Sequence, residues 1–116
     1  MNPAMQITRL SFSTGKRIVL AAPEQIIRFE ASSNYTYVYF TDRPPLLIAK
    51  VLRRYDEILR PYGFIRTHRS HLVNKQHIVQ LDQSWILHMK DASCAGISRS
   101  KRKDVKKEMS EKMYTR

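Results

Sequence analysis

The chain has little cysteine, little glycine and no long apolar run: Cys94 is its single cysteine, and three glycines are scattered over 116 residues. One thiol excludes an internal disulfide and a multi-cysteine zinc site, which favours a reducing compartment. The glycines form no phosphate-cradling loop. No segment reaches the roughly 18 apolar residues of a membrane-spanning helix, and residues 1–13 lack the order of a secretory signal. We therefore expect a cytoplasmic protein with no membrane span.

Carboxylates are also scarce, with 10 Asp and Glu against 21 Lys and Arg, which gives a formal net charge of +11. An apolar content of 42% that includes ten Tyr and Phe residues indicates a folded globule rather than a basic tail. We predict one domain over residues 1–116, with a core at about residues 16–110 and with residues 1–15 as an extension or first strand. The charge predicts an anionic partner.

Residues 58–81 contain no carboxylate at all, and within them lies the run FIRTHRSHLVN at residues 64–74. We expect Arg66, Arg69 and Lys75 to lack neutralising partners and to face an anion, for which DNA is the favoured candidate. Arginine can bridge two acceptors of guanine, and asparagine can do the same for adenine. Arg69 and Asn74 are therefore candidates for contact with a base or a phosphate.

Short β-type runs predict a mostly β fold with two short helices. In residues 35–40 the tyrosines share one face while Val38 and Phe40 share the other, so we expect a central strand that is packed on both faces. A helix is predicted from Lys50 until Pro61, and Ser100 is predicted to cap a C-terminal helix. The predicted strands cover residues 6–12, 17–21, 26–31, 35–41, 46–49, 78–81, 85–89 and 95–97.

Three segments, in order, resemble the LytTR family of bacterial DNA-binding domains. They are IIRFEASSNYT at residues 26–36, FxRxHRSxLVN at residues 64–74 followed by His-Ile at 77–78, and GISR at residues 96–99. The resemblance runs over about residues 23–105. It implies an elongated, multi-sheet β fold with a helix after the central hairpin and a C-terminal helix. In such domains three loops contact two successive major grooves of double-stranded DNA and the minor groove between them.

The resemblance also implies which residues of this chain contact DNA. The sequence-reading side chains would be Asn34, Arg69 and Arg99. The supporting or phosphate-contacting residues would be Tyr35, His68, Ser70, Asn74, Ser98, Lys101 and Arg102. It implies no catalytic residue, no metal and no cofactor.

The same resemblance predicts a transcriptional regulator that pairs as a homodimer on repeated half-sites. Many family members carry a phosphorylation-receiver domain ahead of this module, within a two-component system that includes a sensor kinase. A chain of 116 residues leaves no room for a receiver. We therefore expect either a stand-alone regulator or an effector domain whose receiver lies outside this chain.

The residues themselves, without the resemblance, place two cationic segments at 66–75 and 99–107 on separate elements of a sheet domain. We expect these segments to act as two prongs about one groove apart. Two other functions stay open. The basic face could dock an acidic protein or an anionic membrane, or Tyr35, Tyr37 and Tyr39 could stack the bases of single-stranded RNA.

Chemistry at the histidines and the thiol is disfavoured by the sequence. His68 and His71 have the spacing of half a metal site, but no other ligands are identifiable beside them. Cys94 could pair with a distant histidine as a nucleophile, yet no orienting acid is identifiable. A buried or half-buried structural thiol is the simpler interpretation, so no enzymatic activity is expected.

Overall fold

The structure is a computed structural model, and it describes residues 7–114, with side chains as far as residue 110. Within that range lie two helices, α1 (Leu52–Leu59) and α2 (Arg102–Tyr114). The strands are β1 (Leu10–Ser13), β2 (Ile18–Ala21), β3 (Ile26–Ser32), β4 (Tyr35–Phe40), β5 (Leu46–Ile48), β6 (Phe64–His68), β7 (His71–Asn74), β8 (Ile78–Leu81), β9 (Ile86–Met89) and β10 (Cys94–Gly96).

The strands form three antiparallel sheets. The central sheet has five strands in the order β5-β4-β3-β7-β6, so that β3 lies in its middle. A hairpin of β1 and β2 forms a second sheet, and β10-β9-β8 forms a third. Helix α1 connects β5 to β6, and helix α2 follows β10 through a 3-10 turn at Arg99–Lys101. The mostly β fold with two helices, as predicted, is confirmed.

The central sheet separates two hydrophobic cores. Phe64 and Leu72 pack into the first core, whereas their neighbours Ile65 and Val73 pack into the second. This division follows from the strand geometry, because successive side chains point to opposite faces of a sheet. Strands β6 and β7 are therefore apolar on both faces, which fixes their position inside the molecule.

The first core is closed by α1 and the β1–β2 hairpin. Its centre is an aromatic cluster in which Phe29 stacks on Tyr55 of α1, with 4.9 Å between the ring centroids. Phe12 of β1 completes the cluster, 6.3 Å from Phe29. The second core lies between the central sheet and the β8–β10 sheet with α2, and includes Leu87 and Val105. The two covering layers therefore pack against opposite faces of the same central sheet.

One half of the central sheet stays open on the second face. Strand β4 lies between β3 and β5, as predicted, and Val38 is fully buried in the first core. Tyr35 and Tyr37, on its opposite face, remain 48% and 36% exposed. The expectation that both faces of β4 are packed is therefore wrong for this part of the strand, because the second covering layer does not extend over it.

Two local expectations need correction. The run at residues 64–74 forms a β-hairpin, β6 and β7, which the strand patterns did not predict. Ser100 does not cap α2, because it lies inside the 3-10 turn that begins after Ser98.

Of the predicted strand at residues 6–12, residue 6 lies outside the described residues. Neither described helix has the length and apolar composition of a membrane-spanning segment.

We predict that Phe29→Ala lowers the free energy of unfolding by about 3–5 kcal/mol, because it empties the centre of the aromatic cluster. Urea unfolding followed by circular dichroism measures the change. Tyr37→Ala, on the open face of the adjacent strand, is the matched control and should cost less. Equal losses for the two variants would contradict the assignment of Phe29 to the centre of the core.

Candidate nucleic-acid interface

Two turns of the central sheet lie side by side at one end of the molecule. Ser33 and Asn34 form the two-residue turn between β3 and β4, and both are exposed. Ser33 adopts a left-handed conformation with φ of 58°, which a tight hairpin turn requires. The amide of Ala31 donates to the carbonyl of Ser70 at 2.9 Å. This bond joins the turn that carries Asn34 to the turn that carries Arg69.

Arg66 and His68 brace the β6–β7 turn from within. The Arg66 guanidinium donates to the carbonyl of His68 at 3.0 Å and to the carbonyl of Arg69 at 2.7 Å. The amide of Ser70 donates to Nδ1 of His68 at 3.0 Å. Because these bonds hold the turn backbone, the exposed Arg69 side chain projects from a fixed base.

The third segment joins the same hairpin from its other side. The amide of Ser98 donates to the carbonyl of Thr67 at 2.8 Å. The fully buried Thr67 hydroxyl donates to the carbonyl of Gly96 at 3.1 Å. Directly after Ser98, the 3-10 turn presents an exposed Arg99. The β6–β7 hairpin is thus bonded to both of the other segments.

An open groove of about 500 Å³ lies where the hairpin, the third segment and α1 meet. Arg69 and Lys101 line it from the two cationic segments, so these segments share one groove at this point. The Thr67–Ser98 hydrogen bond holds the segments together here. That they act as two prongs about one groove apart stays a prediction. The complete lining is Arg53, Asp56, Arg66, His68, Arg69, Ser98, Ser100 and Lys101.

Two cations that were expected to be free are neutralised by helices. Asp56 of α1 lies 3.7 Å from Arg66 and also pairs with Arg60 at 2.9 Å. Glu108 of α2 pairs with Lys75 at 2.7 Å. Asp56 lies just before residues 58–81 and Glu108 lies far after them, so a stretch of sequence without carboxylates still contains cations that are paired in the fold.

Arg69 and Arg99, on two of the three segments, remain available for a ligand. Over residues 7–110, whose side chains the structure describes, Arg69 and Arg99 pair with no carboxylate. Both are exposed, as is Asn34. These three side chains offer a guanidinium, a second guanidinium and an amide to a ligand at the same end of the fold.

Asn74 is a correction among the predicted contact residues. It is 1% exposed, and its amide donates to the carbonyls of Pro23 at 3.2 Å and Ile26 at 3.0 Å. Its side-chain oxygen accepts from the amide of Gln76 at 3.0 Å. With every polar atom occupied in the interior, Asn74 shapes the fold and has nothing left to offer a base or phosphate.

The remaining predicted residues lie at the edge of the interface. Arg102 is half-buried, and its guanidinium lies over the Trp85 ring, 5.2 Å from the centroid. Tyr35 directly follows Asn34 and is exposed. Sequence reasoning missed Arg53, an exposed residue of α1 that reaches the groove. In the sequence, Arg53 lies on the polar face of the predicted helix, a position that is typical of any solvent-exposed residue.

Comparisons with known proteins identify the family and the fold. The family model for the LytTr DNA-binding domain matches residues 16–110, which is most of the chain. The chain belongs to the LytTR family of DNA-binding domains. A solved structure named as the LytTr DNA-binding domain of a methyl-accepting/DNA response regulator from Bacillus cereus superposes with a TM-score of 0.75 at 23% sequence identity. That match covers 88% of this chain and 96% of the other. No curated protein matches the sequence.

Histidines of the central sheet and of the turn that follows β7 hold structural positions. His77 is bonded to the carbonyl of Glu24 at 2.8 Å, and the ring centroids of His68 and His71 are 5.5 Å apart. Among the residues that the structure describes, no group of three His, Cys, Asp or Glu side chains is arranged to hold a metal ion.

His71, the first residue of β7, has a perturbed titration. Burial lowers the pKa of His71; the Glu30 carboxylate opposes this shift, while the charges of Arg28 and His68 add to it. Its Nδ1 atom is buried without a hydrogen-bond partner. The neutral ring is therefore favoured in the folded protein.

We predict that His71 makes the fold less stable in mild acid. In the unfolded chain its pKa is near 6.5, so between that value and the lower folded pKa the unfolded state binds more protons. Stability is retained above this window and falls as the pH drops through it. Urea unfolding of His71→Phe and His71→Gln should show a smaller loss than wild type between about pH 7.5 and about pH 5.5. If both variants lose as much stability as wild type over this pH range, His71 is not the group responsible.

Proposed function

We propose that this domain recognises a specific sequence of double-stranded DNA as a transcriptional regulator, with Asn34, Arg69 and Arg99 as its sequence-reading residues. One observation carries the proposal. The turns that present these side chains are joined by the Ala31–Ser70 and Thr67–Ser98 hydrogen bonds, so they form one continuous interface.

The chemistry of the interface suits base recognition better than simple attraction of charge. A guanidinium can donate two hydrogen bonds to guanine, and an amide can pair with adenine in the major groove. Both arginines are free of carboxylates over residues 7–110, and Arg69 extends from the turn that Arg66 braces. A fixed base reduces the conformational entropy that is lost when a side chain binds.

Residues around the groove would hold the DNA backbone. Lys101 and Arg53 supply positive charge, and the Ser98 hydroxyl in the groove can donate to a phosphate oxygen, as can the Ser70 hydroxyl on the adjacent turn. His68 supports the turn through its bond from the Ser70 amide. Tyr35 and Arg102 would contact sugar or phosphate at the margin. Such contacts position a protein on DNA without reading its sequence.

The exposed tyrosines favour one alternative, the binding of single-stranded RNA. Tyr35 and Tyr37 lie on the open face of β4, and Leu47 of β5 is 44% exposed opposite Tyr37. Bases can stack on such a platform. Tyr39 does not join it freely, because the Arg28 guanidinium covers its ring at 4.1 Å. Tighter binding of single strands than of duplexes would support this alternative. Equal binding of anionic polymers of any kind would instead support a docking role of the basic face.

We further propose that residues 1–116 act as one cytoplasmic domain without enzymatic activity, either alone or as the effector of a two-component response regulator. The proposal rests on the family assignment and on the shared central sheet of the two cores. A receiver domain and a sensor kinase would then lie outside this chain.

We predict that Arg69→Ala and Arg99→Ala each weaken specific binding by about 1–3 kcal/mol and relax sequence preference. A duplex selected from a random pool, and a scrambled duplex of the same composition, are titrated with each variant. Lys106→Ala, which changes an exposed charge on α2, is the control and should weaken both duplexes alike. If the arginine variants lose the same amount of affinity for both duplexes, the two residues do not read sequence.

We also predict that two copies assemble on a duplex with repeated half-sites, whereas the free protein stays monomeric. Sedimentation velocity with one and with two half-sites measures the stoichiometry. A tight dimer in the absence of DNA would contradict this prediction, as would a single bound copy on the repeated site.

A further inference from the structure

The outer face of the β8–β10 sheet carries a thiol beside a histidine. Cys94 of β10 lies directly opposite His88 of β9 in the strand register. Its Sγ atom is 3.5 Å from Nδ1 of His88, within hydrogen-bond reach for sulfur. The neighbours Leu87 and Ala95 point into the second core, so the thiol and the imidazole share the opposite, solvent-facing side. Cys94 is exposed and open to small molecules.

An aspartate holds the second nitrogen of this imidazole. Oδ2 of Asp82 lies 2.7 Å from Nε2 of His88. Its other oxygen, Oδ1, accepts from the amides of Ser84 at 2.8 Å and Ile86 at 3.2 Å. The hydrogen bond from His88 is the main cause that lowers the pKa of Asp82, with these two amides adding to it. The carboxylate is therefore ionised and fixed in place by its own turn.

This arrangement sets the role of each nitrogen. With the proton on Nε2 donated to Asp82, the lone pair of Nδ1 faces the Cys94 thiol. A nucleophile next to a base, with the base oriented by a third group, is the arrangement that activates thiols. The sequence predicts a buried or half-buried thiol with no identifiable orienting acid; Cys94 is instead exposed, and Asp82 orients its histidine.

We propose that Cys94, His88 and Asp82 form a modification site at which Cys94 reacts with low-molecular-weight disulfides. The Cys94 sulfur attacks one sulfur of the disulfide while His88 accepts the thiol proton. The S–S bond of the reagent breaks, a new S–S bond forms to Cys94, and the departing thiolate takes the proton from His88. Cys94 is oxidised to a mixed disulfide, and half of the reagent is reduced to a free thiol.

The roles in this site are distinct. Cys94 is the nucleophile, His88 is the base, and Asp82 is a positioning residue that acts only through His88. The strongly basic character of the chain, at +11, would favour anionic disulfides among the possible reagents. The proposal is independent of sequence reading by the turns, because no residue of the interface takes part.

Stopped-flow measurement of thiol reaction tests the site, and it is unambiguous because Cys94 is the only cysteine. The full chain is mixed with anionic dithiobis(nitrobenzoate) and, separately, with neutral bis(hydroxyethyl) disulfide at neutral pH. We expect His88→Gln to slow both reactions at least about tenfold. Asp82→Asn should slow them less, and added imidazole should restore part of the rate in His88→Ala.

Lys90→Gln is the matched control, because it removes an exposed charge from the turn between β9 and β10 and leaves the three residues intact. It should leave the reaction with the neutral disulfide unchanged. Circular dichroism verifies that every variant is folded. Wild-type rates in folded His88→Gln would overturn the proposal, and so would a loss in His88→Ala that imidazole does not restore.

Discussion

The interface depends on the backbone hydrogen bonds made by one hairpin. The turn between β6 and β7 accepts a bond from Ala31 at the carbonyl of Ser70, and β6 accepts another from Ser98 at the carbonyl of Thr67. No other element in the described part of the chain bridges the turn of Asn34 and the segment of Arg99 in this way. Relative placement of the three turns is therefore a property of backbone geometry, which surface side chains do not alter.

The two cores make that hairpin rigid enough for the task. Phe64 and Leu72 anchor it to the layer formed by α1 and the first hairpin, while Ile65 and Val73 anchor it to the layer formed by α2 and the third sheet. Arg66 then uses its guanidinium on the turn carbonyls, with Asp56 nearby to balance its charge. Arg66, which the sequence predicts to face an anion, thus shapes the turn, whereas the side chain of Arg69 remains available to bind the ligand.

The sequence predicts most strands because aromatic and β-branched residues form short runs with a period of two, as in residues 35–40. It does not predict β6 and β7 because adjacent apolar residues, such as Leu72 and Val73, serve two different cores and erase the alternation. The residues of the candidate site are predicted only in part for a similar reason. Exposure of Arg69 and Arg99 agrees with their predicted role, but the burial of Asn74 and the pairing of Lys75 with Glu108 depend on contacts between distant elements.

The most direct test of the account is an amide chemical-shift titration of the labelled protein with a duplex selected from a random pool. The account predicts that residues 33–35, 68–70 and 98–102 shift together, with one common saturation point, since the three turns bind as a unit. Amides of the β1–β2 hairpin should stay unchanged. Shifts confined to a single turn, or centred on the open face of Tyr37 and Leu47, would contradict it.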